Sequence, residues 1–182
     1  MTKLLIVEDQ PAVTKALQLL FEIHGLESVS ACNAKEALEI LARQPIGVVI
    51  QDMNFTGNAT SGEEGVHLFR EIKKRDPHLP VLLVTAWTSL ETAVQLIKEG
   101  ASDYISKPWD DEKLLATVRN LLRLHELQVE NDRLRDEQRR ARQSFAEQHD
   151  LRGLIYASPV MDRLVSLAVQ VARSDAPVLI TG

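Results

Sequence analysis

Cysteine is nearly absent from this sequence. Cys32 is the single one in 182 residues, so no internal disulfide can form. Such usage fits a reducing cytosol, and the expected role of the lone thiol is that of a small buried hydrophobe. Long apolar runs are missing too. No stretch approaches the roughly 20 apolar residues that a membrane-spanning helix needs, and the opening run Leu4-Leu5-Ile6-Val7 meets Glu8 and Asp9 too soon for a signal peptide. The expectation is a cytoplasmic chain without membrane contact. Positive charge is not in excess: the net charge of −5 and pI near 5.6 argue against a generic nucleic-acid-binding surface. That balance does not exclude DNA binding by a part that is absent. There is no internal repeat and no low-complexity tract.

What is present is ordinary globular material, 45% hydrophobic, in a length that allows one domain of about 100–150 residues plus something smaller. Short apolar runs alternate with helical patterns. Leu4–Val7 reads as a first strand, Ser28–Ala31 as a second, and Val48-Val49-Ile50, running into Gln51-Asp52, as a third. Val81–Val84 reads as a fourth, ending at Thr85-Ala86, and Tyr104-Ile105 as a short fifth before Lys107-Pro108. Continuous apolar runs of this length suit strands buried on both faces of a parallel sheet.

Between the strands, Pro11 suits a first helical turn, and Val13, Ala16, Leu17, Leu20 and Phe21 follow the spacing of one buried face before Gly25 stops the helix. Asn33 with Glu36 resembles a capping box. Ala34, Ala37, Leu38, Leu41 and Ala42 form the next apolar face, closed by Pro45 and Gly47. Ser61 with Glu64 and Thr88 with Glu91 offer caps for two further helices, the first with Leu68, Phe69 and Ile72 inward. Asp110 and Asp111 open a fifth, with Leu114, Leu115, Val118, Leu121 and Leu122 facing the core. Alternation of this kind predicts an α/β fold: a five-stranded parallel sheet, doubly wound, over residues 1–120.

Four strand ends then carry polar residues: Glu8-Asp9, Asp52, Thr85 and Lys107. Each alone has a bland reading, as a helix cap, a strand residue or a surface charge. Together they gather at one sheet edge, where ligands of open α/β sheets bind. Crowded carboxylates raise one another's pKa unless a cation intervenes, and hard oxygen ligands suit Mg²⁺. A lysine adds a point charge for phosphate, and a threonine hydroxyl can donate to a phosphoryl oxygen. These parts fit phosphoryl transfer onto an aspartate.

At this point the chain resembles a two-component response-regulator receiver domain over about residues 3–120. The matching stretches are Leu5-Ile6-Val7-Glu8-Asp9, the run into Asp52-Met53, Val84-Thr85-Ala86, Gly100-Ala101-Ser102-Asp103-Tyr104-Ile105 and Lys107-Pro108. The resemblance implies a flavodoxin-like fold with Asp52 as phosphoacceptor. It implies Mg²⁺ held by Glu8, Asp9, Asp52 and the backbone carbonyl of Asn54, and Lys107 paired with the phosphoryl group. Thr85 and Tyr104 would be the switch pair, and the Lys107–Pro108 bond would be cis. The donor would be a sensor histidine kinase, and the output face the fourth helix, fifth strand and fifth helix. One departure stands out. Receivers usually carry a short loop with a proline soon after the acceptor, whereas Asn54 to Gly62 is longer and lacks it. Asn54 and Trp87 flank the expected site.

The fifth helix shows no stop signal. Gly and Pro are absent from Leu121 to Gln148, and Leu124, Leu127, Asn131, Leu134, Gln138, Ala141 and Phe145 keep a 3-4 spacing. Residues 121–150 read as a helical linker, either a dimerising coiled coil or a solvated single helix. After Gly153, Ser158-Pro159 reads as N-cap and first helical position, followed by a short amphipathic helix and the run Val178-Leu179-Ile180. Residues 151–182 resemble the start of the AAA+ domain of NtrC-type, sigma-54-dependent activators. Gly182 would be the first P-loop glycine, and the rest of the ATP site is not in this sequence. The implied function is a phosphorylation-dependent switch that controls dimerisation and a downstream ATPase, in a parent that contacts DNA and sigma-54 polymerase. It is not an enzyme beyond its own phosphorylation and dephosphorylation. Two alternatives stand beside it. Asp52-Met53-Asn54-Phe55-Thr56 resembles the phosphatase motif of the haloacid-dehalogenase type, with Asn54 where that chemistry needs an acid. A constitutive dimerisation module with an inactive receiver is the other.

Overall fold

The chain folds around five parallel strands whose burial follows their composition. β1 (Lys3–Val7), β3 (Ile46–Asp52) and β4 (Val81–Thr85) are almost wholly buried, as continuous Leu, Ile and Val runs require. β2 (Ser28–Ala31) and β5 (Asp103–Ser106) are shorter, mix polar with apolar residues, and form the edges. The order is β2-β1-β3-β4-β5. This is the doubly wound, flavodoxin-like arrangement expected from the sequence, and its strand order reverses between β1 and β3. The structure is a computed structural model. It describes residues 2–53, 63–85, 90–149, 151, 153–154, 156–172, 174 and 177–179. The connection 54–62 with Asn54, the caps Ser61 and Thr88, residues Ala86 and Trp87, and Gly182 lie outside the described residues.

Side chains of the inner strands alternate between two cores. Leu5, Val7, Val49, Val81 and Leu83 face α2 (Ala34–Arg43), α3 (Glu63–Arg75) and α4 (Leu90–Lys98) through Ala37, Leu68, Phe69, Ile72 and Leu96. Leu4, Ile6, Val48, Ile50, Leu82 and Val84 face α1 (Pro11–Ile23) and α5 (Asp111–Gln148) through Leu17, Phe21, Leu114, Leu115 and Val118. Full burial of each such side chain stabilises the fold by about 1.5–3 kcal/mol.

Several boundaries differ from the sequence reading. Gly47 does not close α2, which stops at Arg43; it lies inside β3. A Cβ there would meet Leu122 Cδ2 and Thr2 Cγ2 at 2.7 Å, so close packing explains the glycine. Ala16 and Ala42 are exposed rather than inward. Cys32 is exposed, not a buried hydrophobe, because β2 ends at Ala31 and the chain turns there into α2. At that turn Asn33 Oδ1 accepts from Glu36 N at 2.9 Å, while Glu36 Oε2 accepts from Cys32 N at 2.8 Å. The reciprocal bond of the capping box thus falls one residue early. β5 is longer than Tyr104-Ile105, which brings Lys107 directly to its end.

Two compact units divide the chain, Met1–Val129 and Glu130–Gly182. α5 continues without a break from the first into the second for 38 residues. Of the 3-4 spaced positions on it, Leu124, Leu127 and Leu134 are 62, 57 and 46% exposed. In the second unit, α6 (Pro159–Val171) begins as read, with Ser158 Oγ accepting from Met161 N at 3.2 Å. Arg142 donates to both carboxylate oxygens of Asp162, and Phe145 stacks on His149 at a centroid distance of 4.4 Å. Residues 177–179 form no strand, and Val178 and Leu179 are exposed. A strand needs a neighbour to complete its hydrogen bonds, and no described residue of this unit supplies one.

Candidate functional site

The reversal of strand order leaves a crevice at the carboxyl ends of β1 and β3, and the acidic residues sit there. Val7 pairs in register with Gln51, so the residues that follow, Glu8-Asp9 on one strand and Asp52 on the other, emerge side by side. Asp52 lies opposite Val84 on β4, which places Thr85 one residue beyond, and Thr85 in turn lies opposite Ser106, one residue before Lys107. Parallel register thus delivers all four strand ends to one edge. Backbone bonds join neighbouring ends: Lys107 N donates to Thr85 O at 2.8 Å, and Met53 N donates to Val84 O at 2.9 Å.

Carboxylate oxygens of Glu8, Asp9 and Asp52 lie within 4.8 Å of one another. Lys107 Nζ bridges two of them, donating to Glu8 Oε2 and Asp52 Oδ2, each at 2.9 Å. Glu8, Asp52 and Thr85 are buried, and Asp9 is half-buried. Burial pushes the Glu8 carboxyl above its ordinary value, and the nearby Asp52 charge adds to this, while the Lys107 hydrogen bond works in the opposite direction. Lys107 is itself opposed by burial, yet its bonds to Asp52 and Glu8 hold its ammonium above the usual lysine range. The Lys107–Pro108 peptide is cis.

The donor set fits a hard divalent cation. Asp9 Oδ1 is buried and has no hydrogen-bond partner among the described residues. An acceptor so placed loses its solvation without compensation. An oxygen-ligated Mg²⁺ would supply that compensation and would relieve the repulsion among the three acids. Beside this cluster a cleft of about 300 Å³ runs from Glu8 and Asp9 past Lys15 and Gln18 to Cys32 and Glu36.

Of the residues singled out in the sequence, Glu8, Asp9, Asp52 and Lys107 therefore come together, with Thr85 at the adjoining strand end. Tyr104 is half-buried on β5, packed against the core that α2, α3 and α4 cover. Asn54 and Trp87 fall outside the described residues. One buried polar residue escaped the sequence reading: Gln51, fully enclosed, next to Asp52. The available signal was a lone carboxamide at the end of an apolar run.

Comparison with known proteins shows which family the chain resembles. The family described as "Response regulator receiver domain" matches residues 4–119. The response regulator protein PilR of Pseudomonas aeruginosa is 34% identical over 180 residues, 99% of this chain and 36% of its own length. The C4-dicarboxylate transport transcriptional regulatory protein DctD of Rhizobium meliloti is 34% identical over 97% of this chain and 36% of its own. The chain thus spans about a third of the length of the curated relatives it matches. Among solved structures, the N-terminal receiver domain of a two-component response regulator from Bacteroides fragilis superposes with a TM-score of 0.60. It is 38% identical and covers 67% of this chain and 97% of its own. NtrX from Brucella abortus in complex with ADP superposes with a TM-score of 0.67 at 26% identity, over 94% of this chain and 36% of its own.

Proposed function

Since the chain belongs to the response regulator receiver family, with response regulators of the NtrC type as its relatives, we propose that it is a phosphorylation-dependent switch whose acceptor is Asp52. The observation that carries this reading is the Lys107 ammonium held between Glu8 and Asp52, beside an Asp9 oxygen with no partner among the described residues. A cation and a lysine placed on either side of one carboxylate are what in-line attack on a phosphoryl group needs. In the proposed reaction an Asp52 oxygen attacks phosphorus and the phosphorus–nitrogen bond of a phosphohistidine on a sensor kinase breaks. The departing imidazole takes up a proton.

Glu8, Asp9, Asp52 and the backbone carbonyl of Asn54 would hold Mg²⁺, which supplies neutralising charge for the transferred group. Lys107 would bind the phosphoryl oxygens in place of its bond to Glu8, whose carboxylate would be one of the metal's ligands. Thr85 donates its hydroxyl to the new phosphoryl oxygen, and Tyr104 follows it, which carries the change to the face of α4, β5 and α5.

Residues 1–120 act as the receiver and 121–150 as a dimerising linker, with 151–182 as the start of an AAA+ domain. The support for the linker is a row of exposed leucines on a helix continuous with the receiver. In the parent protein, phosphorylation would restrain or release a sigma-54 activator ATPase that regulates transcription in the cytoplasm. The continuous helix favours a dimer that represses until phosphorylated. Light scattering with and without Mg²⁺ and beryllofluoride, a phosphoaspartate mimic, tests this. Dissociation or reassembly on adding both supports the switch. An unchanged mass, with Asp52→Asn behaving like the parent, refutes it.

A further inference from the structure

Gln51 is a polar residue in the middle of a core. It lies between Val49 and Met53 on the sheet face that α3 covers, and it is 0% exposed. Its Nε2 donates to the Gly65 carbonyl at 2.7 Å, while its Oε1 is buried with no hydrogen-bond partner among the described residues. A buried carboxamide gives up its hydration, a cost that an apolar side chain of similar volume does not carry. Aliphatic and aromatic residues make up the core on this face, with Val49 and Met53 flanking Gln51 on the same strand.

Its partner is placed as closely. Gly65 lies in the first turn of α3, and a Cβ there would come within 2.7 Å of Met53 O and 3.0 Å of Met53 Cα. The helix start therefore rests on the backbone that leaves Asp52. Gly65 thus meets β3 on both sides of Asp52, its carbonyl at Gln51 and its backbone close to Met53, as one shared seat for the start of α3.

We propose that Gln51 is a positioning residue for phosphoryl transfer at Asp52, holding the first turn of α3 against the end of β3 so that the acceptor carboxylate keeps its reactive placement. The inference rests on Asp52 being the acceptor. It explains why a costly side chain occupies the position next to it, and it acts through a backbone contact rather than through the substrate.

The test uses the full 182-residue chain, a small acyl phosphate as donor and saturating Mg²⁺, with thermal unfolding measured in parallel. Gln51→Leu should slow phosphorylation about tenfold, inside the roughly 100-fold that a 1 Å misplacement can cost, with Tm equal to or above the parent's. Gly65→Ala, which pushes the same contact apart from the helix side, should slow the reaction in the same direction. The double variant should be no slower than the worse single one, as expected for one shared contact. A Gln51→Leu rate within twofold of the parent, or a rate that falls only as far as a lowered Tm accounts for, overturns the proposal. A parent that accepts no phosphoryl group overturns the reading of Asp52 and this proposal with it. An active parent beside an equally active Gln51→Leu overturns this proposal alone.

Discussion

Replacing Lys107 with Met removes the cation and keeps most of its aliphatic stem, so the structure allows the consequence to be worked out. The Lys107 side chain is 25% exposed, and its two partners, Glu8 and Asp52, are 3 and 4% exposed. Removing one member of a buried ion pair leaves uncompensated charge and costs about 3–5 kcal/mol. The partial exposure of the lysine puts the loss at the lower end, about 3 kcal/mol, or roughly 10 °C in Tm for a domain of this size. Two conditions should shrink that loss. Mg²⁺ neutralises the same acids, and at about 100 times its Kd contributes about 2.7 kcal/mol, more in the variant than in the parent because no lysine competes. Lowering the pH lets Glu8, whose pKa already lies above the ordinary value, take up a proton and end the repulsion. The assay is thermal or urea unfolding of both proteins, with and without Mg²⁺, between pH 5 and 8. A gap that neither Mg²⁺ nor acid narrows would refute the argument, since it would mean that Lys107 acts by packing and not by charge.

Other consequences follow from the same geometry. Mg²⁺ needs the ionised Glu8 carboxylate, and burial holds that group above 4.5. Metal affinity should therefore fall on acidification at a pH above 4.5, as calorimetric titration would record; an affinity flat down to that value would contradict it. Asn33→Ala removes the bond that Asn33 Oδ1 accepts from Glu36 N and should cost about 1 kcal/mol in urea unfolding, with no loss of Mg²⁺ binding. Replacing the exposed Leu124 and Leu127 with Glu should leave stability within about 0.5 kcal/mol while reducing the sedimentation mass to that of a monomer; a persistent dimer would place the interface elsewhere.

Most of the fold was legible because its central strands are unmixed apolar runs and its helices carry clean apolar faces. The acidic cluster was legible for a topological reason: parallel strands of similar length must end at one edge, so Glu8-Asp9, Asp52, Thr85 and Lys107 could be placed together before their distances were known. What escaped depends on packing between segments remote in the sequence. Gly47 reads locally as a helix stop, and only the approach of Leu122 and Thr2 shows why a strand holds glycine there. Cys32 reads as a core residue by type, but it falls one position beyond the end of β2. The run from Val178 has strand composition and no partner strand among the described residues of its unit. Gln51 looked like one polar residue at the end of a strand, and its bond to the first turn of α3 joins segments 14 residues apart.

Site-resolved mass spectrometry after incubation with a small acyl phosphate would show whether Asp52 is the Mg²⁺-dependent phosphoacceptor. One phosphoryl group is expected on the peptide containing Asp52, dependent on Mg²⁺ and absent from Asp52→Asn. Modification at another residue, modification that survives removal of Mg²⁺, or none at all would contradict it.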